Sequence, residues 1–380
     1  MRKTINIGDL GTIITGKTPP TTNKNYYGDY AVFIKPTDIS EHSKYTYETE
    51  EMYSKLAAEK YESSLIPKGA ICVPCIGTIG TKMTMTPCDC YTNQSINSII
   101  CNENYDNEYV YYLIKNFLPG LKAYNLGTAS GREYVSKSNF EKIELVAEQD
   151  KEIQKKIGVI LSRYDSLIEN YQKQIKLLEE AAQRLYKKWF IDLHFPRHEN
   201  TNIIDGVPEG WEKKKVGDIT PIITGKKDAN FGTPDGEYPF FTCSQEPIKA
   251  PSFSFDCAAV LLAGNGDFNV KLYRGRFEAY QRTYVLSPYI DSHLYLLFYT
   301  ISANMTKLAA GSSGSTIKFL TKGMIDGINL TVPNDEILRS FNKKVEPIQS
   351  SRESLQSQLR LLTEARDRLL PKLMSGEITI

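Results

Sequence analysis

Apolar side chains recur between residues 157 and 189 at alternating steps of four and three: Ile157, Leu161, Tyr164, Ile168, Tyr171, Ile175, Leu178, Ala182, Leu185 and Trp189. That spacing is a heptad a/d seam and predicts a long amphipathic helix. A second seam reads Phe341, Val345, Ile348, Arg352, Leu355, Leu359, Leu362, Arg366, Leu369 and Leu373, with the two arginines as its only polar members. Pro371 lacks an N–H and is expected to kink or end this second helix. Elsewhere the apolar runs are short and broken by turn chemistry such as "NYYGDY", "PKGA", "GTIG" and "AGNGDF". These stretches predict short strands joined by loops. Helical segments are expected at "NEYVYYLIKNFL" (107–118) and "SHLYLLFYTISANMTKLA" (292–309).

The pattern is written twice. "GDLGTIITGK" (8–17) returns as "GDITPIITGK" (217–226), and "QKQIKLLEEAAQRLYKKWF" (172–190) returns as "QSQLRLLTEARDRLLPKLM" (356–374). The order is unit, helix, unit, helix, with the middle of the second copy shorter by about 25 residues. The seams alone leave open whether the helices pack on whatever is near or on each other. If they pair, chain order selects the orientation. About 33 residues of helix span ~50 Å at ~1.5 Å per residue. A parallel pair would make the second unit bridge that length, whereas an antiparallel pair needs only a local return. The expected fold is therefore α+β. Two similar mixed α/β units are separated by two long helices in an antiparallel coiled coil, related by a pseudo-twofold axis. The expected boundaries are 1–150 for the first unit, 151–192 for the first helix, 193–333 for a linker and the second unit, and 334–380 for the second helix and tail.

With 380 residues, 41% hydrophobic and 24% charged, the chain can build two or three cores. A net charge of +1 neither requires nor excludes a nucleic acid, because a local patch can sit on a neutral whole. The start "MRKTINIGDL" has no apolar signal region. The longest apolar run, "CAAVLLA", falls far short of the ~20 residues of a membrane helix. A soluble cytoplasmic protein without membrane contact is expected. Seven cysteines and no leader argue against a disulfide framework. "CVPC" (Cys72, Cys75) and "CDC" (Cys88, Cys90) invite a zinc reading, but the first lies in an apolar strand-like run, so buried cysteines are favoured and no metal is expected.

Gly11 to Thr18 matches the letters of a phosphate-binding loop, G-x-x-x-x-G-K-[ST]. Such a loop must run into a helix, yet Thr18 is followed by Pro19-Pro20, and the second copy carries Thr220 and Lys227 at two signature positions. A turn after a strand is the better reading. The four histidines (His42, His194, His198, His293) fall in no metal or triad spacing. Glu179 and Glu180 are expected on a solvated helix face as partners of Arg184 and its neighbours. No residue is expected to act as a catalytic group.

Polar and basic residues instead crowd the predicted loops. The first unit offers Lys17, Thr18, Asn23, Lys24, Tyr26, Tyr27, Lys35, Thr37, Lys82, Asn93, Gln94, Ser95 and Arg132. The second offers Lys226, Lys227, Asn230, Asn265, Arg274, Arg276, Gln281, Arg282, Ser312, Ser313 and Lys318. Lys and Arg suit phosphates and guanine, Asn and Gln suit adenine, and Ser and Thr suit either. These are the expected DNA contacts.

Several stretches resemble the specificity (S) subunits of type I restriction–modification systems. They are "TGKTPPTTNKNYYGDYAVFIKPTDIS", "IPKGAICVPCIGTIG", "GREYVSKSNFEKIEL", "EQDKEIQKKIGVILSRYDSLIE", "LYKKWFIDLHFP", "GVPEGWEKKKVGDI" and "LLAGNGDFNVKLYRGRFEAYQRTYVL". The resemblance covers nearly the whole chain, and the order of motifs, twice over, carries it. It implies that the two units are target-recognition domains, each binding one half of a bipartite, asymmetric site in double-stranded DNA. It further implies that the helices fix the gap between halves and dock two methyltransferase (M) subunits and, through them, restriction (R) subunits. S-adenosylmethionine, ATP and Mg would then be bound by those partners, none by this chain, which would be a non-catalytic subunit. The alternative is a related system whose single partner fuses methyltransferase and nuclease. The second unit follows "TGKK" with "DANFGTPDGEYPFF" and lacks the first unit's T-P-x(n)-Y-[YW]-G stretch, so the two units should read different sequences.

Overall fold

The computed structural model describes residues 2–127, 131–312 and 318–380. The chain forms two compact units, residues 1–173 with 355–380 and residues 174–354. Each unit therefore contains a piece of both long helices.

In unit 1, strand β1 (Arg2–Asn6) is followed by a turn in which Asp9 Oδ2 accepts the Asn6 amide at 2.8 Å. Next come β2 (Gly11–Thr15), β3 (Tyr27–Ile34), β4 (Met52–Tyr53), helix α1 (Lys55–Lys60) and β5 (Ile71–Pro74). They are followed by β6 (Thr84–Met85), β7 (Tyr91–Thr92), β8 (Ile96–Cys101) and α2 (Asn107–Phe117). The short helix α3 (Lys137–Glu141) and strand β9 (Glu144–Glu148) lead to the long helix α4 (Lys151–Tyr186). The sheets are β2-β8-β5-β6, β4-β3-β7 and the pair β1-β9. Asp106 caps α2 by accepting the Tyr109 amide at 3.0 Å. The helix buries Tyr109, Tyr111 and Tyr112 against β5 and α4 residues including Ile157 and Leu161.

Unit 2 repeats the plan with a broader sheet. A small hairpin, β10 (Ile203–Ile204) with β11 (Val207–Pro208), precedes β12 (Glu212–Lys215) and helix α5 (Val216–Ile219). Asp218 Oδ2 accepts the Lys215 amide at 2.7 Å, as Asp9 does in unit 1. Then come β13 (Ile222–Thr224), β14 (Tyr238–Phe241), β15 (Ile248–Ala250), β16 (Phe255–Ala263), β17 (Val270–Ala279) and β18 (Thr283–Leu286). They form one six-stranded sheet, β13-β18-β16-β17-β14-β15. Helix α6 (Leu294–Gly311), α7 (Lys322–Asp326) and β19 (Asn329–Val332) lead to the long helix α8 (Asp335–Ser375). The β12-β19 pair matches β1-β9. The residue after β1 and the residue after β12 bond back across in the same way, Ile7 N to Ile143 O and Val216 N to Ile328 O, both at 2.9 Å. The core of unit 2 is aromatic. Trp211 packs 4.6 Å from Phe195 and 5.7 Å from Phe190, and Phe190 meets Phe341 edge-on at 4.8 Å.

Within each unit α4 and α8 run antiparallel. In unit 1 Asp165 meets Arg366 at 2.6 Å, while Ile157 and Leu161 share a core with Leu370, Leu373 and Met374. In unit 2 Glu179 meets Arg352 at 3.3 Å, and Trp189 and Phe190 pack on Phe341. The expected seam faces inward unevenly. Ile157, Leu161, Ile168, Phe341 and Val345 are buried. Tyr164, Tyr171, Ile175, Leu178, Leu185, Ile348, Leu355, Leu359, Leu362 and Leu369 are half-buried. The two seam arginines are the cationic halves of these ion pairs. The charges are not repeated: the sequence duplication aligns Asp165 with Gln349, Arg366 with Ala182, Arg352 with Ile168, and Glu179 with Thr363. The tyrosine contact is repeated, since Tyr112 donates to Asp165 at 2.6 Å and Gln349 donates to the Tyr299 hydroxyl.

Two expectations need correction. Pro371 does not end α8, which continues to Ser375 with a second proline, Pro347, also inside it. The missing amide bond is offset by buried Leu370, Leu373 and Met374 on either side, and by the Arg2 guanidinium, which donates to the Leu373 and Met374 carbonyls at 2.9 and 3.0 Å. Glu180 does pair with Arg184 at 2.9 Å, but Glu179 turns to Arg352 on the other helix.

Candidate nucleic-acid interface

In both units one end of the main sheet gathers four turns. In unit 1, β2 leaves the sheet at Gly16, whose amide donates to Ile96 O at 3.2 Å; Lys17 N then donates to Thr92 O at 2.9 Å. A Cβ at Gly16 would lie 2.1 Å from Thr92 O, so the glycine is there to let two backbones cross. The turn at 92–95 is tied to the next one by Cys75 N donating to Ser95 O at 2.7 Å. The 75–79 turn is tied to the segment after α2 by Gly77 N to Glu133 O and Val135 N to Cys75 O, both 2.9 Å.

Unit 2 has the same frame. Gly225 N donates to Thr283 O at 3.2 Å, and a Cβ there would lie 1.8 Å from Ala279 O. Gly264 N donates to Arg282 O, and Leu320 N to Gly264 O, both at 2.8 Å. The bridge between Asn265 and Phe319 matches that between Ile76 and Tyr134. These bonds align Gly16-Lys17 with Gly225-Lys226, Ser95 with Arg282, Cys75 with Gly264, and Val135 with Leu320.

The frame accounts for the repeated "TGK" without a nucleotide. The Gly16 and Lys17 amides are spent on carbonyls, and the next helical turn is only Lys24–Tyr26. No peptide N–H at this pair is left to hold a phosphate in the manner of a phosphate-binding loop.

The expected contact residues divide into those the frame brings together and those it does not. Lys17, Thr18, Asn93, Gln94 and Ser95 converge in unit 1; Lys17, Thr18 and Gln94 are exposed, and Thr18 is bonded to Gln94. Arg132 is exposed on the adjoining segment. In unit 2 Lys226, Lys227, Asn265, Gln281, Arg282 and Lys318 converge, and Lys226, Gln281, Arg282 and Lys318 are exposed.

Other candidates are committed elsewhere. Lys35 is paired with Glu50 and Glu51 at 2.8 and 3.3 Å, which raises its pKa despite the opposing cost of burial. Arg276 is paired with Asp256 at 3.1 Å, and Arg274 donates to the Tyr295 hydroxyl at 2.6 Å. Two residues of the frame itself are also engaged locally: Gln281 donates to Asp228 at 2.9 Å, and Lys227 lies 4.3 Å over the Phe231 ring. Asn23 caps its own turn, Tyr27 donates to Pro19 O at 2.8 Å, and Lys60 covers the Tyr26 ring at 4.7 Å. Lys24, Thr37 and Asn230 are exposed on flanking loops, and Lys82 is half-buried beyond Gly80. The Ser312 hydroxyl is turned back onto Ala309 O at 2.6 Å. Ser313 lies outside the described residues.

Sequence reasoning missed Lys271 beside this end of unit 2. It donates to Ser244 O at 2.7 Å, and burial lowers its pKa to about 8. Its strand alternation gave no signal, because its neighbours come from β16 and from the loop between β14 and β15. Cys72, Cys75 and Cys90 are buried, and burial pushes the Cys72 and Cys75 thiols up to about 12. They pack as apolar side chains. Among the described residues no helix is long and apolar enough to cross a membrane.

Comparison with known proteins agrees with this architecture. The sequence profile of the type I restriction modification DNA specificity domain matches residues 2–180 and again 208–351. The type I restriction enzyme MjaIX specificity subunit of Methanocaldococcus jannaschii is 26% identical over 407 aligned positions, covering 98% of this chain and 93% of that one. The EcoDI specificity subunit of Escherichia coli is 36% identical over 177 positions, 46% of this chain and 40% of that one. The crystal structure of a type I restriction–modification S subunit from M. genitalium shares the fold, with a TM-score of 0.66, 17% identity, and coverage of 98% and 96% of the two chains.

Proposed function

Because this chain belongs to the type I restriction–modification DNA specificity family, we propose that it reads a bipartite, asymmetric site in double-stranded DNA, one half with each unit, and carries no catalysis of its own. The observation that supports this most is the repeated frame of four turns, which displays different side chains in its two copies: Ser95 against Arg282, Thr18 against Lys227, Ile76 against Asn265. A common scaffold with divergent tips is what two half-sites of unlike sequence require. Lysines on the frame (Lys17, Lys226, Lys318) suit phosphate oxygens and set register, while amide, hydroxyl and guanidinium groups suit base edges.

In this reading residues 1–150 and 193–333 act as target-recognition domains, and α4 with α8 sets the unread gap. Half-sites read from one face of the duplex lie about one turn apart, ~34 Å. Helices of 36 and 41 residues are long enough to span that distance at ~1.5 Å per residue. The same helices dock two methyltransferase subunits and, through them, restriction subunits. S-adenosylmethionine, ATP and Mg are bound by those partners. An adenine is flipped out and methylated by the partner, because its reacting atom is out of reach in the stack.

The test is a genome-wide map of N6-methyladenine in the host and in a strain lacking only this gene. Loss of one asymmetric, gapped motif is expected. If the chain co-purifies with a methyltransferase and deletion changes no motif, the reading is wrong. Exchanging residues 1–150 for those of a relative should then alter one half of the motif only.

A further inference from the structure

We propose that Arg282 reads a guanine in the half-site assigned to unit 2, and that this contact has no counterpart in unit 1. The inference rests on the DNA-reading function proposed above and names one base contact within it.

The backbone at Arg282 is fixed from both sides. Its carbonyl accepts the Gly264 amide at 2.8 Å, Thr283 N donates to Tyr280 O at 2.8 Å, and Thr283 O accepts the Gly225 amide at 3.2 Å. Thr283 is buried and pairs with Ala263 in the sheet. The position of the arginine stem is therefore set by its own turn and two neighbouring ones, and its side chain projects outward, exposed.

Its donors are available. The other arginines offered by this sheet are held by the protein, Arg274 by Tyr295 and Arg276 by Asp256, and the adjacent Gln281 is held by Asp228. Arg282 has no side-chain hydrogen bond or ion pair among the described residues, although five N–H donors in a planar fork are its natural complement. It edges a recess of about 150 Å³ whose other walls include Thr224, Gly264, Tyr284 and Phe319.

The chemistry favours a base over a phosphate. A guanidinium on a fixed stem can place two parallel donors on O6 and N7 of one guanine, whereas an ammonium is a point charge without that fork. Phosphate contacts are already served on the same frame by the exposed Lys226 and Lys318. At the matching point of unit 1 stands Ser95, whose short hydroxyl cannot span two acceptors in this way.

The test uses the chain assembled with its methyltransferase partner. The methylated motif of the wild type is compared with those of Arg282→Gln and Arg282→Lys, and each assembly is titrated with site duplexes in which single guanines are replaced by 7-deazaguanine. One guanine in the half read by unit 2 should become degenerate in Arg282→Gln, with the other half unchanged. Removing N7 of that guanine should weaken the wild type by roughly 10- to 100-fold and leave Arg282→Gln unaffected. An unchanged motif overturns the proposal. So does a uniform loss of affinity on all sequences with a shallower salt dependence, which would make Arg282 a phosphate contact. Should Arg282→Gln assemble poorly, the 7-deazaguanine scan of the wild type and Arg282→Lys decides alone: no guanine sensitive to N7 in that half refutes it. A wild-type assembly with no sequence preference would instead refute the DNA-reading function itself.

Discussion

Removing the Asp165 carboxylate is expected to destabilise unit 1 by about 3–5 kcal/mol, the usual cost of breaking a buried ion pair from one side. The side chains of Asp165 and Arg366 are only 5% and 11% exposed. Oδ1 accepts from Arg366 Nη1 and Oδ2 from the Tyr112 hydroxyl, both at 2.6 Å. Asp165→Ala leaves the guanidinium with Asp367, whose carboxylate is 54% exposed, and leaves a buried hydroxyl with nothing. The orphaned hydroxyl alone costs ~1–3 kcal/mol. The interhelix pair of unit 2, Glu179 with Arg352, is buried on one side only: Arg352 is 12% exposed but Glu179 is 41% exposed and keeps no buried hydroxyl, so Glu179→Ala should cost less than Asp165→Ala, about 1–3 kcal/mol. Replacing the whole polar group, Asp165→Leu with Arg366→Met and Tyr112→Phe, should cost far less than the sum of the single changes, because no buried charge or hydroxyl remains unpaired. Urea unfolding resolves this. Both tryptophans, Trp189 and Trp211, are buried in unit 2, so their emission follows that unit while far-UV dichroism follows both. Asp165→Ala should shift the dichroism transition down by about 1–5 M urea, taking a slope of ~1–3 kcal/mol per M, ahead of the tryptophan transition. Equal shifts for Asp165→Ala and Glu179→Ala, or strict additivity in the triple variant, would refute the argument from burial.

The crossing glycines give a second prediction. Gly16→Ala and Gly225→Ala should each cost about 1–3 kcal/mol, because the added Cβ would lie 2.1 Å from Thr92 O and 1.8 Å from Ala279 O and the crossing backbones must move apart, whereas Gly323→Ala, in a helix with open space around it, should be neutral or slightly stabilising; thermal unfolding of the three variants distinguishes them, and equal effects would mean that close approach is not why those glycines are present. Burial, with a smaller contribution from the nearby Asp165, holds the Glu169 carboxyl above its usual range, and its Oε1 has no hydrogen-bond partner among the described residues. A carboxyl raised on folding favours the folded state at pH values below its unfolded pKa of about 4.5, and that contribution is lost as pH rises through the folded value; Glu169→Gln should therefore stabilise unit 1 at pH 7 and lose this advantage toward pH 4, and a pH-independent difference in urea midpoint would count against the linkage.

The plan of the protein is legible along the chain: two copies of one unit and two long helices with apolar seams. Those features depend on local periodicity and on repetition, which neighbours along the chain encode directly. The turns that meet at the sheet ends are legible too, because "TGK" and the Gly-rich turns are local signals. Which side chains on those turns remain available depends on partners that folding brings from distant segments. Lys35, Arg274 and Arg276 look as suitable as Arg282 in the sequence, yet each is taken by a partner that the fold brings in from another segment. Glu179 and the end of α8 turned on tertiary structure in the same way: a helix periodicity cannot show that a glutamate faces Arg352 across the pair. Nor can it show that Arg2, at the other end of the chain, holds the last helical carbonyls past a proline. Strand register and helix pairing join residues hundreds of positions apart, and the energy of each such contact belongs to the pair, which no single stretch of sequence contains.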